Sequence, residues 1–568
     1  MTHSNSGPDQ PEYQGPPLPP EAFSPDRGSP DQGSHLPGHA PYQPDPGTYS
    51  PGPGPYQPDP GAYSPGPGPY QPEVYLPHPY QPPPRKGGRG KKIIAGVAVA
   101  AVAAGGAVAA YAYTVLASSG IQPERVLPAT TVAFAKLDLD PAAGQKIAAY
   151  RLSTKFPAVS KGAANLDEAK DALLSEFFGD QSELDYSTEI KPWLGDRIAV
   201  AAVPDTSSEA GLDPVLVVAY TDEAKMKAAF SKAARTERAF GYVTIDGYAL
   251  VSDSQPHAEA VLAGVRRGTL AESERYRTDL KSLNGDQISV GWADLAATVA
   301  ALKAGTRAGA RFEGLERLDT LPGAKGRIII GAHASSDYLE VSAVLSQAGA
   351  SGAPRLAGKP VNGTLAKLAA ADTSAALEVT GLGAAFEQAW TAASTTLGLG
   401  GQFEDLIQES GLQLPDDLTA LFGSDATVSL RLPQGANGDP EIAAQISTSG
   451  ADRAIQLMDS LGRPFGFAAD SLHAQLTADG YLVSNSLGYD PRAAAGARTL
   501  GADPAFQKAV PDSAKAGMIG YLNLGSILDS DSSASAKEKA DWKHVGAVGL
   551  SVVPTSDGSR VTLRLTTR

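Results

Sequence analysis

Cysteine is absent from the sequence. That excludes a disulfide framework, a thiolate nucleophile, a cysteine-ligated zinc and an iron–sulfur cluster. The absence suits an oxidising exterior without requiring one. Basic charge is also in deficit: 47 Lys and Arg stand against 62 Asp and Glu, a formal net charge of −15. Phosphate binding needs clustered cations, so no nucleic-acid partner is expected. Anionic lipid headgroups match the folded part no better. The plain reading of the acidic balance is solubility.

Signature motifs are missing too. The sequence holds no G-x-x-x-x-G-K-[ST] loop, no G-x-S-x-G elbow, no H-E-x-x-H and no Ser-x-x-Lys. The nearest dinucleotide-like loop, "GLGAAF" at Gly381–Phe386, lacks the third glycine. Of eight histidines, four lie in the first 84 residues; His257, His333, His473 and His544 are scattered, with no pair at i+3 or i+4. They read as surface or turn residues, and no metal, cofactor or catalytic set is expected. The acidic stretch Asp167–Glu189 reads as a solvated helix face. Its "GDQSELD" (Gly179–Asp185) offers Asp180, Ser182 and Asp185 but not the rest of a calcium loop. The pair Asp196 and Arg197 reads equally as an ion pair in a site or as turn chemistry.

Aliphatic side chains are scarce in the first 84 residues, where prolines crowd. Such chain cannot bury enough apolar surface to offset its entropy, so residues 1–92 are expected to be disordered. "PYQPDPGTYSPGPG" (Pro41–Gly54) is followed by "PYQPDPGAYSPGPG" (Pro55–Gly68), then by two shortened echoes. Proline fixes φ and removes donors, which favours an extended polyproline-like spacer or a docking tail for a cytosolic partner.

Next comes Ile93–Ala117, 25 residues without a charge. As a helix it reaches about 37 Å, enough for a hydrocarbon core of about 30 Å. Only one unbroken helix satisfies its own backbone in lipid. A cleaved signal peptide is the rival reading, but the lead of 92 residues is too long for an ordinary one. Arg85, Lys86, Arg89, Lys91 and Lys92 flank the N-terminal side, and no basic residue follows until Arg125. The bias predicts a signal anchor with the tail in the cytoplasm and the C-terminal part outside.

Beyond the span, alternating and 3.6-period apolar patterns predict hairpins interleaved with amphipathic helices. The pattern is written twice. "WLGDRIAVAAVP" (Trp193–Pro204) is echoed by "LFGSDATVSLRLP" (Leu421–Pro433), and "DGYALVSDS" (Asp246–Ser254) by "DGYLVSNS" (Asp479–Ser486). "TLAESERYRTDL" (Thr269–Leu280) is echoed by "TLGADPAFQKAV" (Thr499–Val510). The order never changes. The expected fold is α+β, a tandem duplication of a mostly antiparallel sheet with helices on one face. Repeat 1 is expected at 121–347, a linker at 348–364 and repeat 2 at 365–568. Asp246-Gly247 and Asp479-Gly480 are expected to be the same hairpin turn in both.

"VLPATTVAFAKLDLDPAAGQK", "KFP" (Lys155–Pro157) and "WLGDR" (Trp193–Arg197) together resemble an uncharacterised family of actinobacterial single-pass membrane proteins. Its outer domain is known only as a domain of unknown function. The resemblance covers roughly 121–568; it implies an envelope location and supplies no activity, substrate or site residue. The leading expectation is a membrane-anchored extracytoplasmic binding or scaffold protein, held in the bilayer through 93–117, with an envelope protein or glycan as ligand. The alternatives are an enzyme using carboxylates such as Asp138, Asp140 or Asp196, and a signal-transmitting ectodomain coupled to the tail.

Overall fold

The structure is a computed structural model. It describes residues 120–139, 143–153, 184–208, 210–236, 240–306, 325–346, 357–395, 411–433, 439–462, 472–492, 496–530 and 534–568, with positions 155, 171, 174, 175, 178 and 494. The expected tail and the expected span at 93–117 lie outside these residues, as do the five flanking cations. Among the described residues no helix is long and apolar enough to cross a membrane.

The first half runs β1 (Ala133–Asp138), α1 (Ala143–Ser153), β2 (Leu194–Pro204), β3 (Leu212–Tyr220), α2 (Glu223–Thr236), β4 (Gly241–Ile245) and β5 (Tyr248–Ser252). It continues through α3 (Gln255–Val265), α4 (Glu274–Ser282), β6 (Ser289–Asp294), α5 (Leu295–Thr306), β7 (Arg327–Ala334) and β8 (Tyr338–Ser346). The second half runs β9 (Ala375–Thr380), α6 (Leu382–Thr395), α7 (Asp416–Phe422), β10 (Asp425–Arg431), β11 (Glu441–Ser447), α8 (Ala451–Gly462), β12 (His473–Thr477) and β13 (Gly480–Ser484). Then come α9 (Pro504–Ala509), β14 (Met518–Leu522), α10 (Leu524–Ser530), α11 (Ala536–Asp541), β15 (Val545–Pro554) and β16 (Gly558–Thr567).

Among the described residues sixteen strands form one antiparallel sheet, in the order β12-β13-β11-β10-β9-β14-β15-β16-β8-β7-β6-β1-β2-β3-β5-β4. Outward from the central β8–β16 pair, one side reads β7-β6-β1-β2-β3-β5-β4 and the other β15-β14-β9-β10-β11-β13-β12. The strand order of the two halves is the same. The seam is also symmetric. The β7–β8 hairpin pairs Ala334 with Leu339, and the β15–β16 hairpin pairs Pro554 with Ser559, the same positions counted from the turn. On that correspondence Ser342 is equivalent to Thr562, and these two residues face each other across the seam. The sheet therefore passes from one half to the other through a local twofold axis.

Helices cover both faces, not one as the periodicity suggested. Val217 and Val218 are neighbours on β3, point to opposite faces, and are both buried. Val217 packs with Tyr248, Leu250, Val261 and Tyr276, so α3 and α4 cover its face. Val218 packs with Met226, Ala229 and Ala233 of α2 on the other. In the second half Phe506 of α9 packs with Ala376 and Ile519, while Ala454 of α8 packs with Val379 and Ile446. Burial on both faces selects the continuous apolar runs "VLVVAY" and "RIAVAAV" over strict alternation.

Residues 357–364, expected in the linker, are bonded into the second half. Val361 N–H donates to the Ala516 carbonyl (2.8 Å) and Ala357 N–H to the Thr380 carbonyl (3.2 Å).

The two "DGY" hairpins differ. The first closes on Asp246 and Gly247, at φ +50° and +81°, joining Ile245 to Tyr248. The second closes one residue earlier, on Ala478-Asp479, and Gly480 opens the strand opposite Thr477. Asp479-Gly480 is therefore not the turn expected. A Cβ on Gly480 would sit 1.9 Å from the Ile446 carbonyl oxygen, so that glycine serves strand approach. The slip moves the tyrosine across the sheet: Tyr248 joins one core cluster and Tyr481 the cluster on the α8 side. Gly480→Ala is expected to destabilise the fold by about 2 kcal/mol, since backbone must shift to admit the methyl. An unchanged urea midpoint would contradict this close approach.

Candidate functional site

The sequence-nominated carboxylates do not converge. Asp138 is buried and neutralised: Arg197 Nε donates to its Oδ2 (3.2 Å), and so does Gln122 Nε2 (2.9 Å). Asp140 lies outside the described residues. Asp196 is half-buried beside β2's start. Asp185 is a helix cap, taking the Thr188 N–H at 2.8 Å; Asp180 and Ser182 lie outside the described residues. "GLGAAF" follows β9, whose neighbours β10 and β14 are both antiparallel, so it lacks the parallel βαβ frame of a dinucleotide loop. Its Gly383 is explained by packing, because a Cβ there would meet the Gly423 carbonyl oxygen at 2.7 Å.

The halves differ most in their buried charges. Lys136 on β1 pairs with Ala199, and Glu378 on β9 pairs with Thr427. Gly195 and Gly423 anchor the correspondence, each lying against the next strand, at Ala219 and Ser447. Counting four residues on from each reaches Ala199 and Thr427, so Lys136 is equivalent to Glu378; counting two reaches Arg197 and Asp425. Two cations in one half are two acids in the other. Lys136 Nζ pairs with Glu124 (2.8 Å) and donates to Gln122 Oε1 (2.8 Å). Glu378 instead accepts the backbone N–H groups of Thr364 (2.9 Å) and Leu365 (3.0 Å), and Asp425 that of Asn362 (3.2 Å). Burial pushes the Glu378 carboxyl up to about 7, with the Asp425 charge adding to it, and burial raises Asp425 as well. Glu378 is 0 % exposed and Asp425 4 %. A pair so enclosed belongs to the core, out of reach of a substrate in solvent.

A second cluster is open to solvent. Asp205 follows β2, Asp213 lies near the start of β3, and His257 lies in the first turn of α3, whose cap is Ser254. One ligand atom from each lies within 4.8 Å of the others. His257 Nε2 is 3.3 Å from Asp205 Oδ2, and its Nδ1 contacts Asp253. Asp213, 3 % exposed, takes the Ser252 hydroxyl on Oδ1. Burial raises Asp213 to about 6. Burial also works against a charged His257, but the hydrogen bond and charge of Asp253 outweigh it and its pKa rises. Desolvation likewise opposes the Asp205 charge, and Ser207's hydrogen bonds still hold its carboxyl below the usual range.

No histidine pair at helical spacing marks this set, because its members come from a hairpin loop, a strand and a helix. The available signal was Asp253-x-x-x-His257, an acid and an imidazole one turn apart. The other histidines stay apart: His333 contacts Gln145 Nε2 (2.9 Å), His473 opens the edge strand β12, and the His544 carbonyl takes the Arg568 N–H.

Comparison with known proteins is sparse. A family described as "Protein of unknown function (DUF3352)" matches residues 93–265. No curated protein matches the chain. One solved structure, crystal form I of TP0453, aligns at 12% identity over 41% of this chain and 82% of that chain, with a TM-score of 0.20. A likeness of that size carries no argument.

Proposed function

We propose that the chain is a single-pass protein of the bacterial cell envelope, whose acidic folded part lies outside and binds or scaffolds an envelope protein or glycan. The observation that carries this reading is the order of segments. Five cations at Arg85, Lys86, Arg89, Lys91 and Lys92 precede an uncharged run at 93–117, and no basic residue follows until Arg125. The family match begins at residue 93, so it takes in that run with the first strands. The matching strand order supports a tandem duplication of one ancestral module. A long continuous sheet whose buried acids Glu124, Asp138, Asp279 and Glu340 are paired with Lys136, Arg197, Arg327 and Arg564 suits presentation of a surface more than turnover of a substrate.

The full chain, fused to a fluorescent protein at its N-terminus and to alkaline phosphatase at its C-terminus, tests the topology. The expected result in bacteria is carbonate-resistant membrane association with both reporters active. A carbonate-soluble chain or a silent phosphatase overturns the anchor. Crosslinking on intact cells with a membrane-impermeant reagent tests the scaffold: adducts to a discrete envelope partner are expected, and an unmodified monomer refutes it.

A further inference from the structure

We propose that Asp205, Asp213 and His257 bind one divalent transition-metal ion at the β2–β3 loop. Three observations lead there. The first is the donor set. Two carboxylates and one imidazole suit zinc or its first-row neighbours and leave a fourth position open. Ligands about 2.1 Å from a tetrahedral ion stand about 3.4 Å apart, and His257 Nε2 already lies 3.3 Å from Asp205 Oδ2.

The second observation is an unspent carboxylate oxygen. Asp213 is 3 % exposed, yet only its Oδ1 carries a hydrogen bond, from Ser252. Among the described residues no lysine or arginine pairs with Asp205, Asp213 or Asp253, and His257 is the positive partner of Asp205 and Asp253. A buried acid surrounded by acids favours a cation.

The third is what the other half does at the same place. Asp213 faces Val203 across the hairpin, and its equivalent Glu441 faces Arg431. Arg431 pairs with Glu441 and lies 4.5 Å over the Tyr489 ring. Both halves thus set an acid at the start of the third strand. In the second half the balancing cation is part of the chain. In the first half the facing residue is valine, and a histidine capable of ligation stands nearby. The structural alternative, a protonated His257 bridging Asp205 and Asp253 with no metal, makes a different prediction for metal uptake and for pH.

The test uses the purified full chain in detergent, stripped with chelator, incubated with Zn2+, desalted and analysed for metal. Wild type is expected to retain one zinc per chain, with a raised thermal midpoint. His257→Ala and Asp205→Asn, both at half-buried positions, are each expected to lose that zinc and at least tenfold in affinity. Their stripped-state circular dichroism should match wild type, and Asp205→Asn serves alone if His257→Ala fails to fold. Retention should fall as the buffer is acidified, because protons compete for the imidazole and the carboxylates. Equal zinc in wild type and a folded variant, no stoichiometric zinc in mildly alkaline buffer, or displacement by millimolar Mg2+ overturns the proposal.

Discussion

Arg564→Ala is expected to destabilise the folded part by about 3–5 kcal/mol, the usual cost of stranding one member of a buried ion pair. Arg564 lies on β16 opposite Glu340 of β8 at the seam, the one strand pairing that joins the halves. Its Nε donates to Glu340 Oε2 (3.0 Å), its Nη1 to the Lys508 carbonyl (3.0 Å), and its guanidinium lies 3.9 Å from the centre of the Tyr338 ring. Glu340 is 4 % exposed, so alanine leaves a carboxylate with the Ser342 hydroxyl as its remaining side-chain donor. The pair is not needed for its charge as such. Arg564→Met with Glu340→Leu should recover most of the loss, because apolar residues of similar volume replace such pairs at little cost. The local twofold supplies a control. Arg560 occupies the position related to Glu340 and faces Val344; its Nη2 reaches the Ser282 carbonyl (2.8 Å). Arg560→Ala should cost about 1 kcal/mol, one hydrogen bond's worth. Equal urea midpoints for the two alanine variants would show that Glu340 does not depend on Arg564.

Much of this architecture was readable in the residues, and the reasons differ by element. Hairpins at Tyr242–Val251 and Arg327–Leu345 follow from apolar runs around turn residues, and the ordered echoes foretold the repeated strand order. The number of covered faces was harder to read, because "VLVVAY" fits a strand in a hairpin whether one face is buried or both; the apolar neighbours Val217 and Val218 are its one mark of two-sided burial. Register escaped for a sharper reason. "DGYALVS" and "DGYLVS" align best by letters at Asp-Gly, but the backbone pairs Thr477 with Gly480. A one-residue deletion is absorbed by moving the turn, and alphabet similarity carries no information about which side a tyrosine faces. Continuity through β8 and β16 depends on pairing between residues about 220 apart, which no local pattern encodes. The candidate metal set was hidden in the same way. Asp205 and Asp213 are polar residues at the two ends of a hairpin loop, a common sight, and His257 meets them only because α3 starts beside that loop. Glu378 was legible as a lone acid in an apolar strand; its partner Asp425 was legible as a turn residue. What made them a pair was the sheet.

That pair gives the stability a pH dependence of defined sign. Glu378 titrates near 4.5 when unfolded and is raised by burial to about 7 in the fold. Between these values the folded state holds a proton that the unfolded state has lost. Its contribution is complete below pH 4.5 and is lost as pH rises through about 7. The difference corresponds to about 3 kcal/mol. The raised Asp425 acts in the same direction. Glu378→Gln removes the titration and can offer Asp425 an N–H, but Glu378 takes the Thr364 N–H on Oε1 and the Leu365 N–H on Oε2, so the single glutamine oxygen keeps one of the two bonds. At pH 5 the variant should be the less stable by about 1 kcal/mol, the worth of the backbone hydrogen bond it loses. At pH 8.5 the order should reverse and the variant be the more stable by up to about 2 kcal/mol, because wild type must then either ionise a buried glutamate beside Asp425 or loosen the loop at 362–365. Glu378→Ala separates the two roles: it removes the charge but also the acceptor for two backbone donors, and should be less stable than wild type at pH 5. Parallel pH profiles for wild type and Glu378→Gln would mean that the two acids do not share a proton in the folded state.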